Sequence, residues 1–226
     1  MRKKRIDSIW VDEVVNTLRG ESPMSGVQSV VINVDEFGKK LHMSSIIREV
    51  GNGIGDVVTI IGKPFRQIEA LSELVKGLFD YRVIIESSGR IGVPTSSKRK
   101  VMVPIVDSTT LVIKPNVEFL NDKYYGWMKE YGLSYLYIKF EWQGSEKKTN
   151  DIINKFFKIT NIKQMNLIKS RSLIVMPSDS TDVDQCRKVW MYCLKYHTRY
   201  SGREYRRLYN SMSMIESGGG YGMRTK

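Results

Sequence analysis

The sequence predicts an α/β domain with about six mainly parallel strands, on three observations. Short apolar, β-rich runs recur along the chain, among them Asp56 to Gly62 (DVVTIIG), Arg82 to Glu86 (RVIIE) and Leu173 to Met176 (LIVM). Between them lie segments whose apolar residues fall at helical spacing. Strand and helix alternate, and such units join parallel strands by right-handed crossovers.

In chain order, Ile6 to Val15 (IDSIWVDEVV) is an apolar-rich lead-in read as one strand, and Arg19-Gly20-Glu21-Ser22 is a polar turn. Gln28 to Val34 (QSVVINV) is rich in β-branched residues and belongs in the middle of a sheet. A turn entering a central strand sits at a sheet end, where ligands usually bind. After a loop, Ser44 to Val50 reads as a short helical turn closed by Gly51-Asn52-Gly53 and Gly55-Asp56. Arg66 to Phe79 carries Ile68, Leu71, Leu74, Val75 and Leu78 on one helical face. Thr109 to Lys114 (TTLVIK) is a strand, Glu118 to Tyr131 a helix, Ser134 to Trp142 (SYLYIKFEW) a strand with alternating faces, and Thr149 to Ile159 a helix. The last strong helix runs from Asp182 to Tyr196, capped by Asp182 or Asp184, with Val183, Cys186, Val189, Trp190, Cys193 and Leu194 as its buried stripe. Residues 1–210 are expected to form one domain, and residues 211–226 (SMSMIESGGGYGMRTK) a flexible tail.

A chain of 226 residues with 41% hydrophobic content can bury a real core. No apolar run approaches the roughly 18 to 20 residues of a membrane span. Met1-Arg2-Lys3-Lys4-Arg5 leads into charged rather than apolar sequence, unlike a signal peptide, so a cytoplasmic protein without a membrane partner is expected. Two cysteines argue against a disulfide framework. Cys186 and Cys193 lie about 10 Å apart along one helix, too far for a bridge, and read as packed thiols.

Independent catalytic constellations are weak. His42 and His197 are the only histidines, neither has a partner at zinc-ligand spacing, and His197 reads as the end of a helix. Gly218-Gly219-Gly220 lacks the Gly-Lys-Ser/Thr of a phosphate loop. The charge is more informative. Thirty-six Lys and Arg against twenty-four Asp and Glu leave +12, a field that attracts polyanions. The cations cluster at Arg2 to Arg5, at Lys98, Arg99 and Lys100, and at Arg187, Lys188, Lys195, Arg199, Arg203, Arg206 and Arg207. In the last cluster Trp190, Tyr192, Tyr196, Tyr200, Tyr205 and Tyr209 interleave. Arginine for phosphate and tyrosine for base stacking suit single-stranded nucleic acid or RNA. Lys98, Arg99, Lys100, Arg199, Tyr200, Arg203, Tyr205, Arg206, Arg207 and Tyr209 are the candidates, while Trp190 is assigned to the core.

Thr17-Leu18-Arg19-Gly20-Glu21, followed by Ser25-Gly26-Val27 and a strand, resembles the opening of 7-carboxy-7-deazaguanine synthase, a radical S-adenosylmethionine (SAM) enzyme of 7-deazaguanine and queuosine biosynthesis. Further landmarks follow in the family's order. Val57 to Pro64 (VVTIIGKP) is similar to the strand and Gly-Gly-Glu-Pro turn that holds the methionine end of SAM. Val83 to Gly89 (VIIESSG) is similar to the Glu-Thr-Asn-Gly strand end, Leu111 to Pro115 (LVIKP) to the Ser-Pro-Lys strand, and Arg199 to Arg203 (RYSGR) to the arginine-rich C-terminal segment. The resemblance spans residues 12 to 210 and implies an incomplete (β/α)6 barrel of radical SAM type. It also implies a homodimer, which no stretch of this chain shows. The matching pocket positions are Arg19, Gly20, Glu21, Gly62, Lys63, Glu86, Ser88 and Lys114.

The departures decide the functional expectation. The three positions matching the family's CxxxCxxC motif are Phe37, Leu41 and Ser44, and none offers the soft thiolate a 4Fe–4S cluster requires. Asn33 stands where the family has an arginine for the substrate carboxylate, Ser44-Ser45-Ile46 where a Cys-Asp-Thr corner supplies a magnesium ligand, and Lys63 where an acid contacts the SAM amino group. Neither a cluster nor magnesium is expected, and SAM is the one cofactor left open. Without an electron from the cluster no radical forms. The expectation is a pseudoenzyme that binds a nucleic acid or a protein partner, and the alternative is a SAM- or nucleotide-binding enzyme of nucleic-acid or deazaguanine modification that uses no cluster. The plain reading of Arg19, Glu21 and Glu86 is a capped turn and a strand end.

Overall fold

The β-branched runs pair as their composition dictates. In the protein, described by a computed structural model over residues 6–18, 27–53, 55–90, 105, 109–126, 128, 136–163, 172–179 and 181–201, they form an eight-stranded sheet and a separate two-stranded ribbon. The strands are β1 (Ser8–Val11), β2 (Glu13–Leu18), β3 (Gln28–Val34), β4 (Lys39–His42), β5 (Val57–Gly62), β6 (Arg82–Ser87), β7 (Thr110–Ile113), β8 (Leu136–Glu141), β9 (Leu173–Met176) and β10 (Arg199–Tyr200). The large sheet runs β10-β9-β8-β7-β6-β5-β3-β2, parallel throughout except for β2, which pairs antiparallel with β3. Helices α1 (Met43–Gly51), α2 (Ile68–Gly77), α3 (Asp122–Tyr125), α4 (Glu146–Thr160) and α5 (Val183–Tyr196) lie between strands in sequence.

Alternate residues of each strand face opposite ways, and the two faces differ. Val30, Ile32, Val58, Ile60, Val83, Ile85, Leu111, Ile138 and Val175 join helix residues such as Ile46, Leu71, Leu74, Phe156 and Val189 in the main core. Val57, Ile84 and Val112 form a second, smaller cluster with Val27 and Tyr137 on the other face, and among the described residues no helix residue belongs to it. Edge-on ring contacts of Phe156 with Tyr125, Phe140 and Phe157 anchor α4 on the main core.

Four expectations need correction. The lead-in is two strands rather than one, because β1 leaves the large sheet to pair antiparallel with β4, placing Trp10 opposite Lys40 and Ile9 opposite Leu41. The loop before α1 is therefore partly a strand. Gly38 allows this, since a Cβ there would overlap the carbonyl of Val11. The helix expected over Glu118 to Tyr131 is broken where it is described, into a 3-10 turn at Val117–Phe119 and the four residues of α3. Finally, the buried stripe of α5 is Val189, Tyr192 and Cys193, and the expected stripe residues Val183, Trp190 and Leu194 stand between 59% and 67% exposed. Asp182 is the cap, its carboxylate accepting from Gln185 N at 2.9 Å, and His197 closes the helix in the left-handed region, φ 53°. Neither cysteine is in a disulfide.

Among the described residues, no helix is long and apolar enough to cross a membrane.

Candidate functional site

Because seven strands of the large sheet run parallel, their carboxyl ends share one edge, and most of the described residues matching the family landmarks lie along it. Gly62 and Lys63 end β5, Glu86 and Ser88 lie at the end of β6, Lys114 follows β7, and Arg199 and Tyr200 form β10. Arg19, Gly20, Glu21, Lys98, Arg99, Lys100, Arg203, Tyr205, Arg206, Arg207 and Tyr209 lie outside the described residues, as does the tail from 211.

The centre of this edge is an ion pair. Lys139 on β8 donates to Glu86 Oε1 at 2.8 Å, reaching across β7, with the lysine side chain 0% and the glutamate 18% exposed. Both belong to the face of the smaller cluster, since they alternate with Ile85, Ile138 and Phe140 of the main core. Glu86 was legible as a strand-end acid, whereas Lys139 looked like one polar residue of an alternating strand. Nearer the rim, Lys114 Nζ pairs with Glu141 Oε1 at 2.7 Å. Deeper on the same face, the hydroxyls of Ser29 and Thr59 are buried without a hydrogen-bond partner among the described residues.

The turn after β6 is fixed by aromatics. Tyr125 donates its hydroxyl to Ser88 O at 3.0 Å and accepts from Asn116 N at 2.9 Å. Burial pushes the Tyr125 phenol above its ordinary range. Arg90 lies 3.3 Å over the centroid of Phe119. Ser88 itself is exposed.

The ends of β3 and β5 are clamped together by charge. Lys63 Nζ lies 3.1 Å from Asp35 Oδ2 and 5.2 Å from the Phe37 ring centroid, and Arg66 pairs with Glu36. The Phe37 amide and the Lys63 ammonium, both donating to Asp35, hold its carboxyl below the usual carboxylate range. Gly62 has φ +88°, and a Cβ there would sit 2.5 Å from Val34 O, so this glycine serves the close approach of the two strand ends.

Two of the three cluster positions fall on this clamp and the ribbon beside it, and the third on the helix that follows. Phe37 is 84% exposed at the tip of the turn, Leu41 is half-buried opposite Ile9 in β4, and Ser44 is an exposed residue of the first turn of α1. Asn33 donates to Asp12 Oδ2 at 3.1 Å. The chain's two cysteines are both on α5, so the residues near β3 and β4 do not fit a 4Fe–4S cluster. Among the described residues, no group of His, Cys, Asp and Glu is arranged to hold a metal.

On the C-terminal side, Arg187, Lys188 and Arg199 are exposed, and Tyr200 is half-buried against the core. Tyr192 is buried, and Tyr196 donates to Glu146 Oε1 at 2.6 Å, where Lys195 also donates at 2.7 Å.

No protein-family model and no curated protein matches the chain. Among solved structures it is similar to the crystal structure of QueE from Escherichia coli, with a TM-score of 0.58 at 15% sequence identity, over 86% of this chain and 93% of that one. A likeness at that identity shows a distantly shared fold alone.

Proposed function

We propose that this chain is a divergent, catalytically inactive homologue of 7-carboxy-7-deazaguanine synthase, a pseudoenzyme that acts by binding a partner rather than by radical chemistry. The fold it shares with QueE, the radical SAM enzyme of that name, agrees with landmarks read independently from the sequence. On this reading, residues 1–210 are one partial barrel of (β/α)6 type, with the smaller-cluster face of the sheet turned inward. Support comes from a sheet whose Ile84, Val112 and Lys139 are fully buried on the side whose cluster holds, among the described residues, no helix residue.

The observation that carries the proposal is the exchange at the cluster positions. Phe37, Leu41 and Ser44 cannot ligate iron, and their surroundings are bound up in the Asp35–Lys63 and Glu36–Arg66 pairs and in the β1–β4 ribbon. Anaerobic reconstitution with iron and sulfide tests it. The expected result is no stoichiometric iron and no cluster absorption; a stoichiometric 4Fe–4S cluster overturns it.

The partner class favoured by the +12 charge is nucleic acid. Binding to single-stranded RNA that survives physiological salt, with a slope corresponding to several phosphate contacts, supports that choice; loss of all binding at that salt points to a protein partner instead.

One observation favours a second reading, a SAM- or nucleotide-binding enzyme without a cluster. The Glu86–Lys139 pair and the hydroxyls of Ser29 and Thr59, buried without a hydrogen-bond partner among the described residues, share the face of the smaller cluster, which is polar equipment suited to a small ligand. Saturable micromolar SAM binding by calorimetry favours this reading over the pseudoenzyme.

A further inference from the structure

The side of α5 that faces the start of α4 carries charge that the fold does not use. A groove of about 750 Å³ runs between the two helices. Asp184, Lys188, Met191 and Lys195 line it at intervals of four, three and four residues, a single row along one helix face, and Arg187 stands on the same wall. Trp142 and Tyr192 close the floor, both buried, with their rings edge-on at 5.5 Å. Lys195 is partly committed, since it donates to Glu146 at 2.7 Å. Asp184, Arg187 and Lys188 are exposed, and among the described residues none of the three side chains has a hydrogen-bond or ion-pair partner.

The pattern selects an occupant. From Arg187 to Lys195 the cations spread over about 12 Å of helix, further than one phosphate reaches and suited to the repeating phosphates of a strand. Apolar surface lies beside them: Met191 is 61% exposed, and Trp190, one turn on from Arg187, is 59% exposed. An accessible indole next to a guanidinium is a platform on which a base can stack. A duplex keeps its bases stacked on one another and offers none to the indole, so the strand that fits is single. Asp184 distinguishes RNA from DNA. Its carboxylate repels a phosphate, but it can accept a hydrogen bond from a ribose 2′-hydroxyl, which DNA lacks.

We infer that the groove between α4 and α5 is a binding site for single-stranded RNA, with Arg187, Lys188 and Lys195 on the phosphates, Trp190 stacked on a base and Asp184 on a 2′-hydroxyl. The inference rests on the nucleic-acid reading above and gives that reading a place on the molecule.

Titration of the full chain with a labelled oligouridylate, its deoxy counterpart and an RNA duplex, followed by anisotropy over a range of salt, tests it. The single RNA strand is expected to bind most tightly. Arg187→Glu with Lys188→Glu, folded by circular dichroism, should weaken binding by about ten-fold or more and flatten the log–log salt slope by about 1.4, two single-strand phosphate contacts at about 0.7 each. Lys155→Glu with Lys158→Glu changes the net charge equally on exposed residues of α4 that do not line the groove, and should bind within about three-fold of wild type. Trp190→Ala should cost about five-fold or more, the lower end of a base-stacking contact. Asp184→Ala should narrow the preference for RNA over DNA. Wild-type affinity in the Arg187, Lys188 variant, or an equal loss in the Lys155, Lys158 variant, overturns the inference and leaves the nucleic-acid reading standing. Equal affinity for the deoxy strand or for the duplex overturns it too. A wild type that binds no RNA at any salt overturns the nucleic-acid reading itself, and the inference with it.

Discussion

Replacing Glu86 by Gln isolates the charge at the centre of the strand-end edge. Gln is isosteric with Glu, so no cavity opens and the change is electrostatic. It removes the carboxylate charge that lies 2.8 Å from the Lys139 ammonium, whose side chain is 0% exposed. Removing one partner of a buried pair costs up to about 3–5 kcal/mol, the upper figure applying where the remaining ion keeps no other compensation. Lys139→Met should cost less, since Glu86 keeps 18% exposure and part of its hydration. The double variant Glu86→Gln, Lys139→Met removes both charges and fills the lysine's place with an apolar chain, so it should return to within about 1 kcal/mol of wild type. Urea unfolding followed by circular dichroism reads these values. For a chain of this length, the Glu86→Gln loss corresponds to a fall in Tm of about 6–20 °C. A Glu86→Gln cost below about 1 kcal/mol, or a double variant as unstable as the sum of the singles, refutes the reasoning and implies that the charge of Lys139 is compensated elsewhere.

Three further outcomes follow from single groups. Burial raises the Cys193 thiol to about 11 from an ordinary 9.0; a raised acid stabilises the fold fully below its unfolded value and loses that contribution as pH climbs through the folded one. About 2–3 kcal/mol should therefore disappear between pH 9 and 11, and Cys193→Ala should flatten this limb of the urea-midpoint profile; in native protein at neutral pH, a thiol reagent should label Cys186 well before Cys193. At the acid end, the ammonium of Lys195 and then the hydroxyl of Tyr196 lower the Glu146 carboxyl below its ordinary 4.5, so its contribution is present above that pH and fades as pH falls further; Glu146→Gln should make the acid limb shallower, and an unchanged limb counts against the pairing. Gly62→Ala combines φ +88° with a Cβ 2.5 Å from Val34 O, and should destabilise by about 2 kcal/mol or more, measured as a urea midpoint shift; a neutral result means the β3 and β5 ends can separate.

Much of the architecture was legible because a fully buried parallel strand announces itself. Gln28–Val34, Val57–Gly62, Arg82–Ser87 and Leu173–Met176 are continuous apolar or β-branched runs, and the strands lie where those runs do. What escaped notice depends on partners distant in sequence. Lys39–His42 (KKLH) carries two lysines and reads as a loop, and becomes a strand only because Ser8–Val11 pairs with it. In α5, periodicity showed apolar residues at helical spacing without saying which of two stripes faces the sheet. Trp190 was placed inside because it falls on one apolar stripe, while Tyr192, with a hydroxyl to satisfy, is the residue that is buried, donating to Asn150 Oδ1 at 2.6 Å. The candidate site was half legible for a similar reason. Gly62, Glu86 and Lys114 end predicted strands, but nothing in the sequence pairs Glu86 with a lysine 53 residues later, since that contact exists only once β7 separates their strands.

The exchanges at the ends of β3 and β5 make more sense together than singly. A lysine at 63 would be a lone cation in a turn, an aspartate at 35 a lone anion in another, and an exposed phenyl ring at 37 a cost in water. Set side by side, the ammonium neutralises the carboxylate and lies over the ring. Arg66 and Glu36 repeat the charge pairing in the next residues of the same two segments. Exposed pairs of this kind contribute little stability each, so their value is in holding the two strand ends in register. On the proposed reading, an edge kept open for a cofactor would gain nothing from being tied shut, whereas a protein that only binds a partner loses nothing by it. This is why the proposal rests on the whole clamp, Asp35, Glu36, Phe37, Lys63 and Arg66, and not on the missing thiolates alone. Substituting cysteine at positions 37, 41 and 44 should not by itself restore iron binding, because Leu41 sits within the paired ribbon opposite Ile9; a stoichiometric cluster in that triple variant would show that the edge remains open and that only the ligands were lost.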